Sequence, residues 1–250
     1  MASKNGNLSI NSENIFPIIK KWLYSDSDIF YRELISNGCD AIMKLKKLEA
    51  VGEYEFADGY QPRILVTTDA EKKTITVEDN GIGMTFDEVD RLINQIAFSG
   101  AADFLEKYKD KTNEDQIIGH FGLGFYSAFM VADEVEIDTL SYLADAAPVH
   151  WSCDGGTEFS MKEGTRGEVG TKITLHLAED ETKFCNEWEA RRIIEKYCSF
   201  MPVEIYLNYE QEKDRLTKDY EEKKEKAKED EEVTLELPKP INDPKPLWTK

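Results

Sequence analysis

Glu33, Asn37, Asp40 and Lys44 are separated by four, three and four residues. On a helix of 3.6 residues per turn they form one narrow polar stripe. Tyr31, Leu34, Ile35, Ala41, Ile42, Leu45 and Leu48 fall on the flanking and opposite faces, which can pack on a sheet. Spacing alone favours a solvated helix face. Asn37 and Gly38 weaken that reading, because a helix built only for solvent would carry Glu, Lys or Ala there. Gly38 would let another backbone or a ligand approach closely. A second group is Asp79-Asn80-Gly81-Ile82-Gly83-Met84, directly after the alternating run Thr74–Glu78. A carboxylate at a strand end can accept a hydrogen bond from an exocyclic amine, and the glycines allow a turn that brings backbone against a flat ring. Met84 is soft enough to pack on such a ring. A plain turn with an Asp cap is the alternative. A third group is Gly119-His120-Phe121-Gly122-Leu123-Gly124-Phe125, which leads into an apolar run. Glycines before a helix expose N–H groups and make an anion site, and they also make a hinge. No Lys follows as in a phosphate loop, and the spacing is not that of a dinucleotide fingerprint. His120 has no identifiable partner and reads as a loop residue.

The elements that must hold these groups follow from periodicity. Helical spacing covers Ile15 to Tyr24, about Ile29 to Leu48, Phe86 to Leu92, Asp103 to Tyr108, Phe125 to Ala132 and Trp188 to Phe200. Ser25 to Asp28 supplies cap candidates for the second of these. Strands are expected at Arg63–Thr68, Thr74–Val77, Glu134–Leu140, His150–Cys153, Glu158–Met161, Thr171–Leu177 and Val203–Leu207, with a hairpin turn at Asp154-Gly155-Gly156. Hairpin-paired strands with helices between distant groups of them predict an α+β two-layer sandwich: a mostly antiparallel sheet with helices on one face.

The chain has 250 residues, 40% of them hydrophobic, enough for one domain with an appendage; residues 1–208 read as that domain. The segment 210–232 holds eleven acidic and seven basic residues and few apolar ones, so a charged linker or a marginal helix is expected over 209–237. The Pro-rich stretch after it should be extended, and 238–250 reads as the start of a further, truncated domain. The net charge of -19 disfavours nucleic acid as a partner. No run is long enough for a membrane helix, and no signal-type segment opens the chain, so a cytoplasmic location is expected. Cys39, Cys153, Cys185 and Cys198 form no Cys-x-x-Cys pair, and with His120, His150 and His176 they offer no zinc spacing. They read as reduced, buried or half-buried thiols.

The runs Ile29–Ala41, Glu78–Thr85, Ile118–Ser127 and Gly170-Thr171, in this order, together with Asn186-Glu187-Trp188 and Pro246–Lys250, resemble the heat-shock protein 90 family, closest to its bacterial form. The resemblance covers nearly the whole chain. It implies the Bergerat ATPase fold shared with gyrase, histidine kinases and MutL, and the ATP-binding N-terminal module of a folding chaperone. By that resemblance Glu33 would be the general base for the attacking water, and Asn37 would supply an oxygen to Mg²⁺. Asp79 would take the adenine amino group, with Thr171 supporting through water. Gly83 and Met84 would line the base, and Asp40 and Ala41 would face the nucleotide. Gly122, Gly124 and Phe125 would wrap the phosphates of ATP or ADP, and 94–124 would form a lid with Gly100 and Gly119 as hinges. The implied partners are client proteins and a homodimer mate. An arginine from the following domain would complete the site, so the chain alone should hydrolyse ATP very slowly. The lid departs from the family: Phe98 stands where a Lys is usual and Leu92 where an Asn is common, which implies weaker nucleotide retention. Gly38 and Cys39 replace a small Ala-Ser pair; Cys39 would be open to thiol reagents if it faced the pocket. A gyrase B, MutL or histidine kinase relative, and a nucleotide sensor without turnover, are the alternatives. The acidic surface, the lack of a phospho-acceptor helix and the intact Glu33 weigh against them in turn.

Overall fold

The computed structural model describes residues 26–95, 124–156, 158–226 and 234–245. The helices expected at Ile15–Tyr24 and Asp103–Tyr108, most of the lid including Phe98, and Gly122 lie outside them. The described elements, in chain order, begin with helix α1 (Ile29–Ala50), strands β1 (Arg63–Asp69) and β2 (Thr74–Asp79), helix α2 (Phe86–Leu92) and a 3₁₀ segment (Gly124–Met130). Then come β3 (Ala132–Leu140), β4 (Val149–Cys153), β5 (Phe159–Glu163), β6 (Gly170–Leu177), a second 3₁₀ segment (Glu179–Cys185), α3 (Glu187–Cys198), β7 (Glu204–Leu207) and α4 (Tyr209–Lys226).

The strands form one seven-stranded sheet in the order β5-β4-β3-β6-β2-β1-β7. Every pairing is antiparallel except β1 with β7. Burial alternates along the central strands, as period-two side chains require. Ile64, Val66, Ile75, Val77, Val135, Ile137, Ile173 and Leu175 point inward and join Phe30, Leu34, Ile35 and Ile42 of α1 in one core. α1 packs on β1 and β2 and also meets α3 and the first 3₁₀ segment. The fold is therefore the expected α+β class.

Local chemistry sets the element ends. Thr85 and Glu88 close a reciprocal capping box on α2. The Asn186 side chain accepts from the amides of Trp188 and Glu189 and caps α3. Asp28 occupies the N-cap position of α1 but makes no cap bond. Its carboxylate takes the Tyr197 hydroxyl at 3.1 Å and Lys196 Nζ at 3.2 Å, tying α1 to α3 instead.

The expected α-helix from Phe125 to Ala132 is a 3₁₀ segment ending at Met130, because Ala132 already belongs to β3. All five residues from Phe125 to Phe129 are buried, so no polar face remains, and the tighter turn fits the short span. The charged stretch after Asn208 forms α4, with no residue buried. Further on, the chain returns to the sheet edge. The Ile241 amide donates to the Ile205 carbonyl at 2.8 Å, and the buried Asn242 side chain bonds Ile205 N, Met201 O and Val203 O at 2.8, 3.0 and 2.8 Å.

Candidate nucleotide site

On the inward faces of β2, β6 and β3, Asp79, Thr171 and Thr139 stand at strand ends, beyond the aliphatic positions. The register pairs Asp79 with Thr171 and Thr171 with Thr139, so the three stand in one row across adjacent strands. Each is nearly or fully buried. Asp79 Oδ1 accepts from the Gly81 amide at 2.8 Å. Burial lifts the Asp79 carboxyl to about 7; the Gly81 amide, the Arg166 guanidinium and the Thr171 amide pull the other way, and Glu78 adds to the rise. Thr139 Oγ1 lies 2.9 Å from Thr171 Oγ1, 3.1 Å from Gly170 O and 3.0 Å from the Met84 amide that donates to it.

α1 stands over this row. A methyl group at Gly38 would come within 3.3 Å of Asp79 Cβ, so the missing side chain brings the helix down onto the strand end. The loop after Asp79 is clamped from two sides. The Ile82 amide donates to Ala41 O at 3.1 Å, and a Cβ at Gly81 would meet Ala41 C at 2.5 Å. Gly83 has φ +63°, and a Cβ there would sit 1.8 Å from Leu140 O. Both glycines are thus required by the protein's own backbone, whereas the sequence pattern suggested room for a ligand's ring.

Along α1, Glu33 and Asn37 are partly exposed and Asp40 is buried. The Glu33 carboxylate is 3.9 Å from Arg32 Nε and lies against Gly124, whose added Cβ would be 2.7 Å from Oε2. Burial lowers the Lys44 pKa, opposed by the charges of Asp40 and Glu88. The structure therefore brings Glu33 and Gly124 together, and separately Asp79, Thr171 and Met84, with Ala41 O fastening the loop between Asp79 and Met84.

Two side chains near the site turn into the core. The Phe125 ring is 7% exposed and packs edge-on against Trp151, Phe129 and Tyr126. Only its backbone is left for a ligand. Cys39 is fully buried, with Sγ 3.8 Å from Met201 Sδ, and burial pushes its thiol pKa far up. Thr139 was missed. Its signal is a hydroxyl where the inward alternation Val135, Ile137 calls for another aliphatic side chain.

Among the described residues no group of three or more His, Cys, Asp or Glu could hold a metal ion. A Mg²⁺ here would be carried chiefly by phosphate oxygens and water, with one protein oxygen, which Asn37 on the exposed part of the stripe can offer. Among the described residues no helix is long and apolar enough to cross a membrane.

Residues 30–152 match the family described as histidine kinase-, DNA gyrase B- and HSP90-like ATPase. The chain is 45% identical over 247 residues to the chaperone protein HtpG of Bacteroides thetaiotaomicron, covering 99% of this chain and 34% of that protein. It is 47% identical over 247 residues to HtpG of Bacteroides fragilis, with the same coverage. It is 41% identical over 233 residues to HtpG of Pectobacterium atrosepticum, covering 91% of this chain and 34% of the relative. The chain thus spans about a third of the length of the curated relatives it matches.

Proposed function

The chain belongs to the heat-shock protein 90 family, and from that premise we propose that it is the ATP-binding module of a molecular chaperone. The observation that carries this reading is the row Asp79–Thr171–Thr139 beneath the polar stripe of α1. Asp79 accepts the adenine amino group, Thr171 assists through a water, and Gly83 and Met84 border the base. Asp40 and Ala41 face the nucleotide, and the backbone at Gly122, Gly124 and Phe125 meets the phosphates. Asn37 offers its oxygen to Mg²⁺, which when bound neutralises phosphate charge. Glu33 takes a proton from the water that attacks the γ-phosphate.

The segment 94–124 acts as a lid over the nucleotide. Residues 1–208 are the nucleotide-binding domain, 209–237 a charged linker, and 238–250 the approach to a further domain. The whole protein works in the cytoplasm as a homodimer on client proteins, without a nucleic-acid or membrane partner. Without an arginine from the following domain, this chain binds nucleotide and hydrolyses it very slowly.

Calorimetric titration of wild type and Asp79→Asn with ADP and Mg-ATP tests the reading. Binding by wild type that is lost in the variant is the expected result. A wild type that binds neither nucleotide would sink the proposal.

A further inference from the structure

Thr139 is touched by three polar groups but has one proton to give. Its neighbours are the Met84 amide, which can only donate, the Gly170 carbonyl, which can only accept, and the Thr171 hydroxyl, which can do either. One arrangement satisfies all three contacts. Thr139 donates to Gly170 O and accepts from both Met84 N and the Thr171 hydroxyl. Thr171 has then spent its only side-chain proton inside the protein, and its oxygen turns only lone pairs toward the site. Beside it in register stands Asp79, whose carboxylate, once ionised above about pH 7, is also an acceptor.

We infer that Thr139 is a positioning residue for base selection: by fixing the direction of the Thr171 hydroxyl, it keeps that hydroxyl from donating into the proposed base site, so that the site takes a base carrying an exocyclic amine and turns away one carrying a carbonyl there. The inference rests on the nucleotide site proposed above. Thr139 itself is fully buried and need not touch the ligand. With valine at 139 the Thr171 hydroxyl is released to rotate and donate into the recess, where it can satisfy a carbonyl at position 6 of the base. A site built on hydrogen bonds discriminates strongly because the wrong base leaves its groups unpaired.

The test is titration of wild type, Thr139→Val, Thr139→Ser, Thr171→Val, Thr139→Val with Thr171→Val, and Asp79→Asn with ADP and with inosine diphosphate, whose base bears a carbonyl in place of the amine. Thr139→Val should lower the preference for ADP over inosine diphosphate by about tenfold, the weight of one directed hydrogen bond. Thr139→Ser, which keeps the hydroxyl, should retain wild-type preference. In the Thr171→Val background, Thr139→Val should change the preference no further. If Thr139→Val does not fold, Thr139→Cys, of similar size but a weak acceptor, must show the same direction of change. A merely structural role would weaken both ligands alike. A wild-type preference in folded Thr139→Val, or a Thr139→Ser that behaves as the valine variant does, overturns the inference alone. Undiminished ADP binding by Asp79→Asn overturns the base recess itself, and this inference with it.

Discussion

Asp79 accepts a hydrogen bond from an amine most strongly when ionised, yet burial lifts its carboxyl to about 7. The sign follows directly. Below about 7 the empty site holds a proton whose loss strengthens the bond to an adenine amine. ADP affinity should therefore rise with pH up to about 7 and level off above it, by at most tenfold per pH unit. Calorimetry near pH 6.5 in two buffers of different ionisation enthalpy should show proton release on binding; uptake would contradict the assignment. The same raised pKa costs the empty fold stability as pH climbs from the unfolded value of about 3.8 to about 7, because the unfolded chain loses its proton first. Cys39 lies in the core of the domain. Its thiol is buried against Met201, so alkylation should require unfolding and proceed at the same rate with and without nucleotide. Rapid labelling of the native chain, slowed by ADP, would show the side chain facing the site after all.

At the scale of elements, the site depends on how closely the loop after β2 lies against α1. A methyl group at position 81 would sit 2.5 Å from the α1 backbone, with no flexible side chain to yield. Gly81→Ala should destabilise the domain by about 1–3 kcal/mol, the usual range for overpacking, and weaken nucleotide binding as the loop lifts. A thermal melt and an ADP titration read the two effects separately. The cap of α3 is farther from the recess. Asn186→Ala removes two bonds to backbone amides and should cost about 1 kcal/mol while leaving ADP affinity unchanged. A change in affinity would mean that α3 carries strain into the site through Asp28 and α1.

At the scale of the whole molecule, two stretches that follow β7 have opposite weights. α4 buries none of its residues and is laced along its own exposed length by pairs such as Arg215 with Glu212 at 2.6 Å. Such pairs contribute little. Leu216→Ala should leave the melting temperature nearly unchanged, within the roughly 0.5 kcal/mol typical of surface substitutions. Asn242, by contrast, is 7% exposed and satisfies one amide and two carbonyls at the edge of the sheet. Asn242→Ala should cost about 2–3 kcal/mol by leaving buried partners unpaired. Hydrogen exchange at Ile205 should quicken with it, and unchanged protection there would show that Asn242 adds nothing to β7.

Much of this was legible in the residues. The period of α1, the alternation of β1, β2 and β6, the polar stripe and the Asp79 turn are backbone properties, because 3.6- and two-residue repeats follow from local geometry whatever lies across the chain. The family resemblance added the roles that spacing alone left open. Tertiary structure decided what local geometry cannot. Register among strands far apart in sequence set Thr139 and Thr171 beside Asp79. The turn of α1 carried Cys39 to the core while Gly38 met the strand end. The aromatic packing around Trp151 drew the Phe125 ring inward from a loop that reads as a phosphate cradle. Which neighbour a side chain meets depends on the packing of whole elements, and the chain encodes that only through the fold it reaches.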